Sequence, residues 1–238
     1  MIILQLHGKE NVTVSREGVH GLIHHLLPTE YHEQGVGTQF ANGDNIKAHT
    51  FWVPCGDYEK YQPFLLEIRA LGITEQNLYK ALKSKESLTL DGKEVNIDLC
   101  RHFSVKAEEV LRTFMPILVR KSMKNAAFLK YGSPGQKTIY LTYKDNPAAW
   151  LETVKSNLVR RAEAIMGGGW VEQAGPLHIR VIQATDARSQ LRGRVVRGTR
   201  GKLEIKAPWN DIAFNLSLGE RCSYGFGVLG GEAYESWT

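Results

Sequence analysis

Five of the eight histidines, His20, His24, His25, His32 and His49, fall within thirty residues of one another near the N-terminus. An imidazole exchanges protons near neutrality because its unperturbed pKa is about 6.5, so such a cluster suits general acid–base work. The spacing of His20 and His24 also puts two rings on one face of a helix, half of a metal site. No His-Glu-x-x-His run and no carboxylate in a matched position completes it. Toward the other end lies Ser217-Leu-Gly-Glu-Arg-Cys-Ser-Tyr-Gly-Phe-Gly227, a glycine-rich turn with Arg221 in its middle. Glycines let the backbone approach a ligand closely, and successive N–H groups cradle phosphate oxygens. A mononucleotide loop would need Gly-Lys-Ser/Thr opening a helix, or Gly-x-Gly-x-x-Gly between strand and helix, and neither is present. A tight turn with no ligand is the plain alternative.

The charge points the same way. Thirty basic and twenty-five acidic residues leave a net +5, but the stretch from Arg180 to Lys206 alone holds eight basic residues against Asp186 and Glu204, a local +6. A second run, Arg120, Lys121, Lys124, Lys130 and Lys137, contains no acid. Charge runs are commonly solvated surface. Arginines interleaved with glycine and β-branched residues, as at Arg192, Arg194 and Arg197, also suit a hairpin laid along a phosphate backbone.

The elements that must position these groups follow from periodicity. Ile2 to His7 alternates as a strand, and Ser15 caps a helix through Val19, Leu22, Ile23 and Leu26. Further strands are expected at His49 to Val53 and Phe64 to Leu71. Thr74 is expected to cap a helix to Lys83, and a hairpin turns at Asp91-Gly92. The order β-α-β-β-α-β is ferredoxin-like. It restarts with a strand at Thr138 to Tyr143, a helix opened by Asn146-Pro147 and stopped at Gly167, strands at Leu177 to Ala184 and Arg194 to Ile205, a short helix from Trp209, and a closing strand from Tyr224 to Leu229. The expected fold is therefore α+β with two tandem ferredoxin-like (RRM-like) βαββαβ domains, residues 1–131 and 136–238, joined near Gly132 to Gly135. The apolar share of 42% and charged share of 23% are those of a globular chain. No run of eighteen apolar residues and no basic N-terminal region with a cleavage site is seen, so neither a membrane span nor a secretory signal is expected. Cys55, Cys100 and Cys222 lack any Cys-x-x-Cys spacing and suit a reducing cytoplasm.

The glycine-rich turn resembles the C-terminal loop of the sixth CRISPR-associated protein family, the repeat-processing endoribonucleases of the repeat-associated mysterious protein superfamily. That loop has two Gly-hydrophobic-Gly units. Gly219, Gly225 and Gly227 match, and Ser217 stands for the first glycine. Gly201-Lys-Leu-Glu-Ile-Lys-Ala-Pro resembles the strand before the loop, Asn157-Leu-Val-Arg-Arg a second-domain helix, and Phe114-Met-Pro-Ile-Leu-Val-Arg the segment between domains. Tyr31-His-Glu and Lys47-Ala-His-Thr-Phe resemble the N-terminal landmarks. The resemblance implies binding and metal-independent cleavage of CRISPR repeat RNA to mature guide RNAs, leaving 2′,3′-cyclic phosphate and 5′-hydroxyl ends, with no cofactor. By motif position it implies His32 as base or acid, Lys47 as the cation on the phosphorane, Tyr31 as its neighbour, and His24 as a second polar group. Arg192, Arg194, Arg197, Gly219, Arg221, Gly225 and Gly227 would contact the RNA. Other CRISPR-associated subunits or a second copy of the chain are further expected partners. A catalytically silent RNA-binding subunit is the alternative.

Overall fold

The computed structural model describes residues 1–28, 31, 45–124, 126–132 and 136–231. β1 (Ile2–Gly8) buries Ile2, Leu4 and Leu6 on one face, as the alternation requires. α1 (Arg16–Leu26) starts where the Ser15 hydroxyl accepts the Gly18 N–H at 2.9 Å, and it buries Val19, Leu22 and Ile23. β2 (Val12–Val14) and β4 (Gly56–Tyr58) form a small side ribbon. β3 (His49–Trp52), β5 (Pro63–Ala70), α2 (Ile73–Lys83), β6 (Ser87–Leu90) and β7 (Lys93–His102) complete the first unit. Its sheet runs β3-β5-β1-β7-β6, antiparallel throughout. Asp91 and Gly92 have φ of 48° and 82°, the positive pair that a two-residue hairpin turn needs. Thr74 does not cap α2. Gly72 holds that position with no side-chain bond, while Thr74 lies inside the helix, buried, with its side chain bonded to Tyr31.

The second unit consists of β8 (Val110–Thr113), α3 (Pro147–Met166), β11 (Ile179–Leu191), β12 (Arg194–Ile205), α5 (Trp209–Leu216) and β13 (Leu229–Gly230), in the sheet order β11-β12-β8-β13. A short α4 (Gly168–Ala174) follows α3. This is a second βαββαβ unit, so the tandem ferredoxin-like fold is the observed one. Its first strand, however, is β8 and not the expected strand at Thr138. Residues Thr138–Tyr140 form β10, which pairs with β9 (Arg120–Ser122) in a ribbon outside the main sheet. The main sheet of the second unit therefore begins with β8, at residue 110, and not with the strand at Thr138. β8 has four residues and only Leu111 is fully buried, too short for an alternation to show in the sequence. The closing strand is likewise shorter than expected. Cys222–Tyr224 is a 3₁₀ turn, and only Leu229–Gly230 pairs with β8.

Each unit has its own apolar core. Leu4, Ile23, Leu66 and Leu78 centre the first. Leu111, Trp150, Leu158, Ile205 and Phe214 centre the second. A seam of polar contacts joins them. Arg69 of β5, fully buried, pairs with Glu67, donates to the carbonyls of Phe214 (2.9 Å) and Leu229, and stacks on the Phe214 ring at 3.7 Å. Thr50 of β3 donates to the Cys222 carbonyl at 2.9 Å. Among the described residues no helix is long and apolar enough to cross a membrane.

Candidate functional site

The glycine-rich loop lies on this seam, and its backbone dictates its composition. Gly219 has φ +80°, and a Cβ there would sit 2.4 Å from the Leu118 carbonyl oxygen. Gly225 has φ +74° and backs onto Phe51 of the first unit, where a Cβ would lie 2.9 Å from that carbonyl oxygen. Both positions exclude a side chain on steric and conformational grounds. Ser217, the residue in place of the family's first glycine, keeps a glycine-like φ of 63° with ψ 178°. Its hydroxyl meets that of Thr50 at 3.0 Å. The loop is pinned by Glu220 N–H to Leu118 O (2.8 Å), Leu218 N–H to Gly227 O (3.0 Å) and Gly227 N–H to Pro116 O (3.0 Å). Arg221 is thereby held in the left-handed region at φ 58°.

Beside the loop is a pocket of about 50 Å³ lined by Lys47, Arg161, Gly219, Arg221 and Ser223, among others. Lys47 and Arg221, both singled out from the sequence, thus come together although 174 positions separate them (221 − 47). Arg161 was not anticipated. It lies on α3, buried, and donates to Ser217 O (3.1 Å), Cys222 Sγ (3.2 Å) and Lys47 O (3.4 Å), tying the loop to the segment that carries Lys47. The only sequence signal for it was its place in Asn157-Leu-Val-Arg-Arg, because a basic residue on a helix otherwise reads as solvated.

The Lys47 ammonium donates to the Tyr31 carbonyl and sits 4.9 Å above the Tyr31 ring. Burial lowers its pKa. The Tyr31 hydroxyl accepts the Ala48 N–H at 2.7 Å and shares a 2.9 Å hydrogen bond with His49 Nδ1. Burial pushes this phenol well above its ordinary value, against the Ala48 hydrogen bond and the Arg161 charge, so it keeps its proton. His49 is pulled well below the usual histidine range, first by complete burial and then by the charges of His20, His24, Lys47 and Arg161. It is neutral at ordinary pH and fills the strand. His20 and His24, one turn apart on α1, have rings 4.2 Å apart. His20 Nδ1 bonds Ser223 O at 2.7 Å and its ring stacks on Tyr224 at 3.7 Å, which puts this imidazole pair next to a residue that lines the pocket. His32 lies outside the described residues; it follows Tyr31 directly in the chain. Among the described residues no three His, Cys, Asp or Glu side chains are grouped as metal ligands.

A second, larger cavity of about 800 Å³ opens between the β9–β10 ribbon and the tip of the β11–β12 hairpin. Arg120, Lys137, Arg192, Arg194, Arg197 and Arg221 line it, joining both basic runs of the sequence. These arginines are not equivalent. Arg192 sits in the hairpin turn at φ 49°, its N–H bonded to Glu17 of α1 at 2.9 Å and its guanidinium bonded to the Tyr224 hydroxyl. Arg197 reaches Asp145 and Asp186, each at 3.4 Å. Arg194 is exposed and makes no ion pair among the described residues. Arg221 lines both cavities, so the groove leads into the Lys47 pocket.

Two ferredoxin-like units meeting at a glycine-rich loop, with a basic groove running to that loop, define the class as a tandem ferredoxin-like protein with a strongly basic face. A family model described as "CRISPR associated protein Cas6, C-terminal" matches residues 100–230, more than half of the chain. The chain belongs to the Cas6 family. The match begins close to the start of the second unit as the sheets define it. Among solved structures it is similar to one titled "CRISPR associated protein Cas6", at 16% identity, TM-score 0.67, covering 96% of this chain and 97% of that one. It is also similar to "An RAMP protein binding different RNA substrates", at 14% identity, TM-score 0.68, covering 96% and 98%. A third, a Cas6-related protein of Pyrococcus furiosus, is 13% identical with TM-score 0.68 and 96% of each chain covered. At such identities the likeness establishes the fold. The comparison with curated proteins found no match.

Proposed function

We propose that this chain binds CRISPR repeat RNA across the seam and cuts it without a metal ion, producing guide RNAs with 2′,3′-cyclic phosphate ends and fragments with 5′-hydroxyls. The observation that carries the reading is the convergence of Lys47, Arg161 and Arg221 on one pocket beside the glycine loop, next to the imidazoles of α1. A cyclising cleavage has three needs. A base removes the ribose 2′-proton, and the freed oxygen attacks the adjacent phosphorus. Cations hold the charge that grows on the phosphorane. As the bond from phosphorus to the 5′-oxygen breaks, that oxygen takes up a proton. In this reading His32 is the base, with His24 the second candidate on the adjacent helix. Lys47 and Arg221 hold the phosphorane oxygens, Arg221 through its planar fork. The lowered pKa of Lys47 also makes its ammonium a better proton donor to the departing oxygen. Tyr31, which keeps its own proton, positions Lys47 through its carbonyl. Supporting this assignment, several structural relatives are named Cas6, one of them solved as a "product complex". The test is a repeat RNA in which hydrogen replaces the 2′-hydroxyl at the cut position. Cleavage is expected to vanish with binding nearly intact, and cutting of the deoxy substrate would rule the mechanism out.

A further inference from the structure

The basic hairpin reaches far beyond the sheet that supports it. Pairing of β12 with β8 ends at Lys202, a single bridge to Ile117 follows at Thr199, and from there outward β11 and β12 pair only with each other. Arg194 at the tip lies roughly 25 Å of strand beyond Lys202. A two-stranded ribbon is marginal in water by itself, so its end needs a seat. α1 of the first unit supplies it. The Arg16 guanidinium donates to Ser189 Oγ (3.0 Å) and to the Gln190 carbonyl (3.1 Å), and Glu17 accepts the Arg192 N–H at 2.9 Å. A small third core of Leu118, Val196, Tyr224 and Phe226 joins the hairpin to the glycine loop, and the Arg16 guanidinium lies 5.1 Å from the centre of the Phe226 ring. Its other terminal nitrogen meets Met115 Sδ at 3.5 Å. Both ends of the fork are thus taken up inside the protein, by neutral partners. Arg16, His20 and His24 follow at intervals of four and so share one face of α1. On that face Arg16 grips the hairpin and His20 bonds the loop at Ser223.

We infer that Arg16 and Glu17 are positioning residues for RNA cleavage: they seat the hairpin tip on the helix that carries the imidazoles, so that RNA held by the hairpin meets the Lys47 pocket in one register. The inference rests on the proposed cleavage reading and adds to it what sets the distance between grip and site. A hairpin freed at its tip would still hold phosphates, but the bond to be cut would wander, and a misplacement of about an ångström costs on the order of a hundredfold in rate.

Two measurements test this. Single-turnover cleavage of repeat RNA in EDTA, followed against protein concentration, gives a maximal rate and a half-saturating concentration. Hydrogen exchange of residues 189–194 without RNA reports the seat itself. Arg16→Met keeps an apolar stem beside Phe226 and Met115 but loses the bonds to Ser189 and Gln190. It should lower the maximal rate at least about tenfold, move the half-saturating concentration less than about threefold, and speed exchange at the hairpin tip. Glu17→Ala, at an exposed position, should act in the same direction. Glu17→Gln, whose amide oxygen still accepts the Arg192 N–H, should restore both readouts. Exchange in the rest of the chain shows whether each variant is folded, and Glu17→Ala decides if Arg16→Met is not. Folded variants with the parent's maximal rate overturn the inference. So does a raised half-saturating concentration with the maximal rate unchanged, which would make Arg16 an RNA contact. If the parent protein cuts no repeat RNA, the proposed function falls and exchange alone judges the seat: unchanged protection at 189–194 in Arg16→Met and Glu17→Ala overturns it.

Discussion

Lys47 is held at the candidate site by a carbonyl and a ring face, both from Tyr31. Lys47→Ala is expected to slow single-turnover cleavage with little effect on affinity; a rate like that of the parent protein would return the lysine to a packing role. His32→Ala should lower the rate by roughly a hundredfold to ten-thousandfold, the usual worth of a general acid or base. A larger loss from His24→Ala would move the role to α1. His49 gives a prediction about stability. Its folded pKa is depressed, so the unfolded chain binds the extra proton. The stability it contributes is therefore intact above about pH 6.5 and is lost as pH falls below, by at most about 1.4 kcal/mol per pH unit. Urea unfolding measured across that range should show this slope, and His49→Phe should reduce it. Lys47 and Arg221 were legible because each stands in a recognisable run of residues. Arg161 and the burial of His49 were not, since burial is a property of the packed chain and neither residue's type announces it.

At the scale of elements, the glycine loop and the basic hairpin make separate predictions. Ser217 occupies a backbone region in which a side chain costs on the order of 1–3 kcal/mol. Ser217→Gly relieves that cost, whereas Ser217→Ala keeps it and loses the contact with Thr50. Thermal unfolding should therefore rank glycine above alanine, and the reverse order would show that the loop is not strained there. In the hairpin, the salt dependence of RNA binding should flatten most for Arg194→Ala, by about 0.7 per lost phosphate contact on single strands. Arg197, shared by two carboxylates, and Arg192, docked on Tyr224, should change it less. Equal effects from all three would mean the internal contacts do not restrain these arginines. The long elements were readable from the sequence. α1 and α3 carry their caps at Ser15 and Asn146, and the Asp91-Gly92 turn fixes its hairpin. β8 was not readable, because its pairing with residues some ninety positions later, Lys202 to Glu204, leaves no local trace.

The whole molecule is two units held in register by buried arginines, and the site exists only where they meet. Arg69→Met would strand Glu67 as a buried, unpaired carboxylate and remove the bonds to Phe214 and Leu229, a loss of about 3–5 kcal/mol. Denaturation followed by tryptophan fluorescence and by circular dichroism should show coincident curves for the parent and separated ones for the variant. An unchanged midpoint would mean the seam contributes nothing to coupling. The tandem architecture was visible in the repeated order of elements, but the seam was not, because it is made of residues whose partners lie on the other unit. The central claim, metal-independent RNA cleavage at this seam, is tested most directly by incubating the pure protein with CRISPR repeat RNAs in EDTA and identifying the ends of any product. One cut per repeat is expected, with a 2′,3′-cyclic phosphate on one fragment and a 5′-hydroxyl on the other. Intact RNA, or cutting that appears only when a divalent metal is restored, would contradict it.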